Sequence, residues 1–594
     1  MVNKSNQDLF TQSSRRLFLC KIIFMQLPTI QRTYLKADLV LGTFSDVQPY
    51  FDELLSREIS TKEAFVQWLK DLSEIEAFLE ENGAWRYIKM SINTTDPSLT
   101  DSYTFFVTEI QPKLAPLNNA LNEKMMQSAF IGEMTHDPAY AIFFRSVKVQ
   151  LELFREENIS IEAYLAEKSQ EFGSISAAQT IEHQGETLTM QQASVHLKNQ
   201  DEYLRKTVYE KMAARRRSDI DSLNDLYTDL IAQRHQLALN AGFENYRDYM
   251  FQSMGRFDYT KEACFDFHEA VAQKVVPLVK ENQLKKLHKL GKNAFKPWDL
   301  DVDPDGHAPL KPFRNGQEML DKTIEIFDQM DPYFGDCLRT MQTMGHLDLE
   351  SKAGKAPGGY NYPLYEIGVP FIFMNAVGLH RDLITMVHEG GHAIHSFLNR
   401  ELALTSFKNI PSEAAELASM SMELLSMKYW EAFYTNAEEL KRAKIEHMED
   451  LLKVLPWIAQ IDAFQHWVYT HPTHTLEERS AQWLSLGKKF GTGLTDWTGY
   501  EDLQSAGWQR QLHLFEVPFY YIEYGIAQLG AIGVWKNSLL DETGALEKYK
   551  TGLALGYTRS LPEIYEAAGV PFDFSPKCIG ELMEFVDSYV KTLG

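Results

Sequence analysis

The stretch Leu383-Ile384-Thr385-Met386-Val387-His388-Glu389-Gly390-Gly391-His392-Ala393-Ile394-His395-Ser396-Phe397-Leu398 carries an HExxH motif. Leu383, Ile384, Val387, Ile394 and Leu398 give it an apolar flank, and no proline interrupts it, so the spacing predicts a helix. Residues four apart on a helix lie about 40° apart around the axis and one turn along it. The His388 and His392 imidazoles can therefore reach one metal ion, with Glu389 beside them to address an activated water. The alternative, two histidines satisfied in a structural core helix, does not account for Gly390 and Gly391. Each glycine costs about 1 kcal/mol relative to alanine in a helix interior. That cost fits a place where another backbone, or a substrate, must come close.

A catalytic zinc site needs a third protein ligand and an open position. His395 lies two turns from His388, too far to share a tetrahedral ion, and the extended pattern HExxHxxGxxH is absent. Downstream, Pro411-Ser412 starts a second helical stretch, EAAELASMSMELLS, with Glu413, Glu416 and Glu423. Glu416 lies 24 residues after His392, enough for a helix, a reversal and a second helix against the first. Spacing alone leaves Glu413 open beside it.

HEGGHAIHSF followed by PSEAAELASMSMELL resembles the oligoendopeptidase F family, relatives of thimet oligopeptidase. The resemblance implies Glu416 as the third zinc ligand and Glu423 as a carboxylate supporting the ligands from behind. Further similar segments are LDLESKAGKAPGGYNYP (347–363), PFIFMNAVGLHRDLITMVHE, FQHWVYTHPTHTLEER (464–479) and HLFEVPFYYIEYGIAQLGA (513–531). The likeness is specific from about residue 200 to 590 and general before that. It implies a mainly α fold, a helical two-lobed body around a deep substrate channel, with a small β-sheet beside the zinc-site helices. It also implies one zinc ion per chain and short unstructured peptides as substrates. Glu389 would then be the general base, and His513, Tyr520 and Tyr524 would close over the substrate and stabilise the oxyanion. Tyr521 belongs to the same segment, and Gly358, Gly359 and Tyr360 would line the substrate path. His466, His471 and His474 are unevenly spaced and Pro472 breaks any helix between the last two, so a supporting role for His466 is preferred to another metal site.

Working outward, 594 residues with a 44% hydrophobic content form a large core without disulfide staples. The cysteines Cys20, Cys264, Cys337 and Cys578 are far apart with no CxxC, which excludes a disulfide framework or a cysteine zinc ribbon and fits a reduced, cytoplasmic protein. Lys+Arg minus Asp+Glu is 59 − 82 = −23, which excludes a nucleic-acid binder working through a general positive field. Helical spacing runs through 61–82, 117–130, 139–171 and 187–240, while 347–376 reads as short strands joined by a glycine loop. The triple Arg215-Arg216-Arg217 sits in a charged helix and reads as a solvated face rather than an anion site.

Residues 1–27 are expected to be either an over-extended stretch before a start at Met25 or a frayed, disordered or docked N-terminus; a signal peptide is disfavoured, since Lys21 breaks the apolar run Leu17–Phe24 and no cleavage site follows. An N-terminal helical domain is expected over 28–200 and a zinc peptidase domain over 201–594. No membrane segment is expected, and nothing sets the oligomeric state. The expected activity is cleavage of internal peptide bonds. The same HExxH could serve a zinc aminopeptidase or carboxypeptidase, but no GAMEN-like exopeptidase segment is found. An inactive peptide-binding protein is disfavoured by the intact motif.

Overall fold

The computed structural model describes residues 27–352, 354–356 and 358–593. Residues 1–26, on which the expected over-extended start falls, lie outside the described residues.

Helices make up most of the described chain. Those that matter here are α1 (Lys62–Ile92), α2 (Pro138–Leu153), α3 (Glu156–Ala177), α4 (Glu202–Arg217), α5 (Ile220–Asn240), α6 (His380–Asn399), α7 (Ser412–Ser426), α8 (Ala437–Thr470) and α9 (Tyr521–Ser538). Side-chain caps start several of them by accepting from otherwise unpaired backbone N–H groups: Thr61 from Ala64, Asp201 from Tyr203 and Asn436 from Glu438.

The helical spacing over 139–171 and 187–240 is realised as several helices: Asn199–Asp201 and Ser218–Asp219 break the second stretch, and its first residues, 187–189, are strand. Phe154 and Arg155 are extended and divide α2 from α3. Thr180–His183 and Glu186–Thr189 form an antiparallel hairpin, β1 and β2, whose turn holds Gln184 and Gly185 at φ 52° and 86°. The glycine turn and the β-branched threonines prevail over the three- and four-residue apolar spacing there.

The second sheet is mixed. β3 (Leu347–Glu350) runs parallel to the central β5 (Phe371–Ala376), and β4 (Tyr360–Tyr362) pairs antiparallel on its other side. β5 is almost wholly buried and leads straight into α6. The Asp382 carboxylate fixes that entry by accepting from the Val377 and Leu379 N–H groups at 2.8 and 2.9 Å.

Two large apolar cores result. One gathers residues from Leu35 to Val147 on α1, α2 and their neighbours, closed by Leu404 and Phe407 from the loop after α6. The other runs from Phe172 to Val586 and encloses α6, α7, α8 and α9. The mainly α architecture with a small sheet beside the HExxH helix is as the sequence implies. No described helix is long and apolar enough to cross a membrane.

Candidate active site

α6 and α7 approach each other through the two glycines. A β-carbon on Gly391 would lie 2.7 Å from the Ser419 Cα and 2.8 Å from the Ala418 carbonyl oxygen, and one on Gly390 would lie 2.7 Å from the Phe327 ring. The close partner expected from the helical glycines is thus the backbone of the next helix at Gly391, and a buried aromatic ring at Gly390.

This approach brings Glu416 to the histidines. One donor atom each from His388, His392 and Glu416 lies within 4.8 Å of the others. His388 Nε2 is 3.4 Å and His392 Nε2 3.7 Å from Glu416 Oε2. The imidazole planes are turned 83° to each other with centroids 4.9 Å apart. Two imidazoles and a carboxylate converging on one point are the donor set of a catalytic zinc site, and the residues present fit that ion. Glu413 points elsewhere and accepts from the Tyr259 hydroxyl at 2.6 Å. His395 is buried outside the trio.

Supporting contacts fix each donor. His388 Nδ1 is 2.6 Å from Glu423 Oε1, which leaves Nε2 free to face the metal position. His447 on α8 stands behind Glu423, with Nε2 3.7 Å from Oε2. Glu416 accepts from Tyr520 Oη at 2.7 Å on Oε1 and from Ser419 Oγ at 2.9 Å on Oε2. Ser419 and His447 carry no signal in the sequence, because a serine and a histidine on amphipathic helices reveal nothing of where they point.

Electrostatics follow from burial among like and unlike charges. Burial alone would lower His388, but hydrogen bonds with Glu416 and Glu423 hold it well above the usual imidazole range. Burial opposes ionisation of Glu416, yet His392, His388 and Tyr520 outweigh it and bring the carboxyl down to about 2. Glu389 has no such partner, and burial pushes it up to about 7. Asn361 of β4 is its hydrogen-bonding neighbour, and Glu389 lines a cavity of about 370 Å³ together with His388, His392, Glu416, Tyr520 and Tyr524.

The far wall comes from the segment entering α9. Phe519 has φ 70°, a left-handed backbone held by Gln465, which accepts from its N–H, and Arg256, which donates to its carbonyl. This kink delivers Tyr520 and Tyr524 to the cavity. His513 Nε2 is 3.3 Å from Tyr524 Oη, and His513 Nδ1 is 2.8 Å from Gln511 Nε2. Trp457 Nε1, which can only donate, binds Gln511 Oε1 at 3.2 Å and so sets which way the amide faces. Gln511 therefore donates to Nδ1, and the His513 proton sits on Nε2, facing the cavity side. Burial pulls His513 down to about 4, so the ring is a neutral donor.

The remaining expected residues are placed unevenly. Gly359 and Tyr360 line the cavity, and Tyr360 also meets Ser91 of α1 at 2.6 Å. Gly358 stays outside the cavity wall, at φ 97° in an exposed turn, where its carbonyl accepts from Asn375. Tyr521 does not face the cavity; it packs edge-on against His513 at 4.9 Å. His466 is not among the ligands or their hydrogen-bond partners. It is buried 3.3 Å from Asp462, which also binds His268 at 2.8 Å, and packs on the Phe519 ring at 5.5 Å. Asp462 lies one turn before it on α8, a local pair; the contacts with His268 and Phe519 are tertiary, and histidine spacing does not show them.

The model for Peptidase family M3 matches residues 195–582, and that for the Peptidase M3 N-terminal domain matches residues 41–154. The chain belongs to peptidase family M3, a family of metallopeptidases. It is 22% identical over 408 residues to an oligoendopeptidase F homolog of Borreliella burgdorferi, covering 67% of this chain and 65% of that one. The chain thus spans just under two thirds of that relative's length. It is 26% identical over 232 residues to the oligopeptidase PepF of Bacillus subtilis, covering 38% and 33% of the two chains. Among solved structures, PZ peptidase A with an inhibitor shares the fold at a TM-score of 0.87 and 24% identity, over 95% of this chain and 99% of that one.

Proposed function

We propose that the protein is a zinc-dependent oligoendopeptidase that hydrolyses internal bonds of short unstructured peptides. The observation that carries this reading is the convergence of His388, His392 and Glu416 within 4.8 Å, in one cavity with the Glu389 carboxyl. A zinc ion held by the three residues supplies Lewis acidity, which makes water a stronger acid and polarises a peptide carbonyl. Glu389 takes the proton from the attacking water and passes it to the leaving amine nitrogen. Tyr524, and His513 through its Nε2–H, donate toward the carbonyl oxygen as it gains charge, which supplies several kcal/mol when donors are fixed beforehand. Tyr520 holds Glu416 in place and joins them when substrate enters. Gly359 and Tyr360 bound the path of the peptide backbone.

The same proposal divides the chain into an N-terminal helical domain over 28–200 and a peptidase domain over 201–594. It places the protein in the cytoplasm, which suits the unpaired thiols of Cys264, Cys337 and Cys578. An internally quenched peptide blocked at both termini tests the activity: cleavage with about one equivalent of zinc per chain is expected. Failure to turn over any blocked peptide refutes endopeptidase action, and protein that neither holds zinc nor responds to it refutes the site.

A further inference from the structure

A larger cavity of about 860 Å³ lies on the other side of the glycine loop from the metal-site cavity. Lys352, Gly354 and Lys355 of that loop line the large cavity, while Gly359 and Tyr360 line the small one. Trp457 also lines it and reaches His513 through Gln511. The wall has an unusual charge. In a chain of net charge −23, no Asp or Glu lines this cavity among the described residues, and four cations do.

Two of those cations are already neutralised: Lys352 and Lys355 pair with Asp348 at 3.4 and 2.7 Å. The other two, Arg216 and Arg510, are not. The triple arginine of α4 splits by partner. Arg215 binds Asp219 at 2.5 Å and Arg217 binds Asp502 at 2.6 Å, on the two flanks of the helix. Arg216, between them, lines the cavity with no hydrogen bond or ion pair from its side chain among the described residues. Arg510 ends the short helical turn Gly507–Arg510, which Gln509 ties to α5 through Ile220 and Asn224. Its side chain likewise has no hydrogen bond or ion pair among the described residues. Asp301 is near enough to act on Arg510 through its charge but forms no ion pair with it.

The two guanidinium groups repel each other. Arg216 is half-buried, and loss of water contacts followed by the charge of Arg510 pulls it down to about 10, while Arg510 sits on the exposed rim of the cavity. Tyr209, two turns before Arg216 on the same face of α4, shares the cavity wall and adds a phenolic donor. Two arginines that line one cavity without a carboxylate partner among the described residues, close enough for one charge to act on the other, are a donor pair suited to an anion. The planar forks of arginine match a carboxylate best. Trp457, Trp483 and Trp497 offer apolar surface around it.

We propose that Arg216 and Arg510 bind a carboxylate of the peptide substrate while the scissile bond lies at the metal site. This rests on the peptidase reading, and adds to it a preference for peptides bearing a negative group away from the cleaved bond. The triple arginine is then a solvated face at two positions and an anion site at the middle one.

The test uses Glu389→Gln protein, which holds substrate without consuming it, and N-acetylated nonapeptides of Ala, Leu and Gln. One ends in a free carboxylate, one in an amide, and one in an amide with a single internal Glu. Calorimetric binding is expected to be about tenfold tighter for the free acid or the Glu peptide than for the neutral amide, and which of the two gains tells a C-terminal from a side-chain carboxylate. Adding Arg216→Gln and Arg510→Gln should abolish the difference, and the charge-retaining Arg216→Lys with Arg510→Lys should restore part of it. Equal binding of all three peptides, or an acid preference that survives the glutamine substitutions, overturns the carboxylate site and leaves the peptidase reading standing. Absence of binding to any peptide, together with no cleavage by the unsubstituted protein, overturns both.

Discussion

Gly391 of the HExxH helix and Ser419 of the following helix are so close that a β-carbon on the glycine would fall 2.7 Å from the Ser419 Cα. The neighbour is backbone, and backbone of the helix that carries Glu416, so it cannot yield without moving a ligand. Gly391→Ala is therefore expected to destabilise the protein by about 1–3 kcal/mol and to weaken zinc retention. Gly390→Ala meets only the Phe327 ring and should cost less in zinc retention. Thermal unfolding and zinc content after dialysis against a chelator read both. Equal zinc loss in the two variants would contradict the assignment of Gly391 as the spacer between ligand helices.

The hydrogen-bonding neighbour of Glu389 is Asn361 and not one of His388, His392 or Glu416, so its replacement leaves the ligands in place. Glu389→Gln should keep zinc and the unfolding midpoint while lowering kcat by about 10²–10⁴-fold. Cleavage at the unsubstituted rate would remove Glu389 from the mechanism.

Glu423 acts through His388. Its carboxylate at 2.6 Å fixes which imidazole nitrogen remains free. Glu423→Gln can place its amide N–H against Nδ1 and turn the free nitrogen into a donor. Zinc affinity is then expected to fall by about 10–100-fold, measured by competition with a chelator. An unchanged affinity would mean that the histidine is oriented by packing alone.

The degree to which the site could be read in advance follows from the range of each interaction. HExxH lies within one helix, and a helix fixes its own geometry, so His388, Glu389 and His392 were legible from spacing. Glu416 needed a second helix at the correct distance; spacing allowed Glu413 as well, and family resemblance chose between them. The two glycines announced a close approach without saying to what. Contacts between segments far apart in the chain left no local trace. Trp457 to Gln511, Gln465 to Phe519, and His268 to Asp462 arise only when α8 packs against segments far away in the chain, and a buried His466 looks the same in sequence whichever ring it meets. The triple arginine shows the same limit: the charges were plain, but which of the three lacked a partner depended on Asp219 and on Asp502, almost three hundred residues away.

The Trp457–Gln511–His513 chain makes a prediction that separates chemistry from packing. Gln511→Glu is nearly isosteric and still accepts from Trp457, but it cannot donate. It would draw the His513 proton onto Nδ1 and leave Nε2 an acceptor. The expected result is a fall in kcat of about 10²-fold with zinc content and unfolding midpoint unchanged, since a fixed donor to the oxyanion is lost. Near-normal turnover in this variant would show that Gln511 only fills space.

His380 sets an acid limit on stability away from the metal ligands. Burial, then repulsion from His447 and Lys198, pulls it from the ordinary 6.5 down to about 3. The folded protein therefore keeps this imidazole neutral, with Nδ1 2.8 Å from the Tyr434 hydroxyl, while the unfolded chain protonates it near its ordinary value. Because the folded value lies below the unfolded one, its contribution is complete above pH 6.5 and shrinks as the pH falls toward 3, where the folded state also takes up the proton. Over that window each pH unit costs about 1.4 kcal/mol for one such group. Urea unfolding of chelator-treated protein at successive pH values between 7 and 5 should show a declining midpoint. His380→Gln should decline less steeply, by about the share of one histidine. Parallel declines in the two proteins would mean that His380 is protonated in the folded state as readily as in the unfolded chain, and that burial on α6 does not exclude the charge.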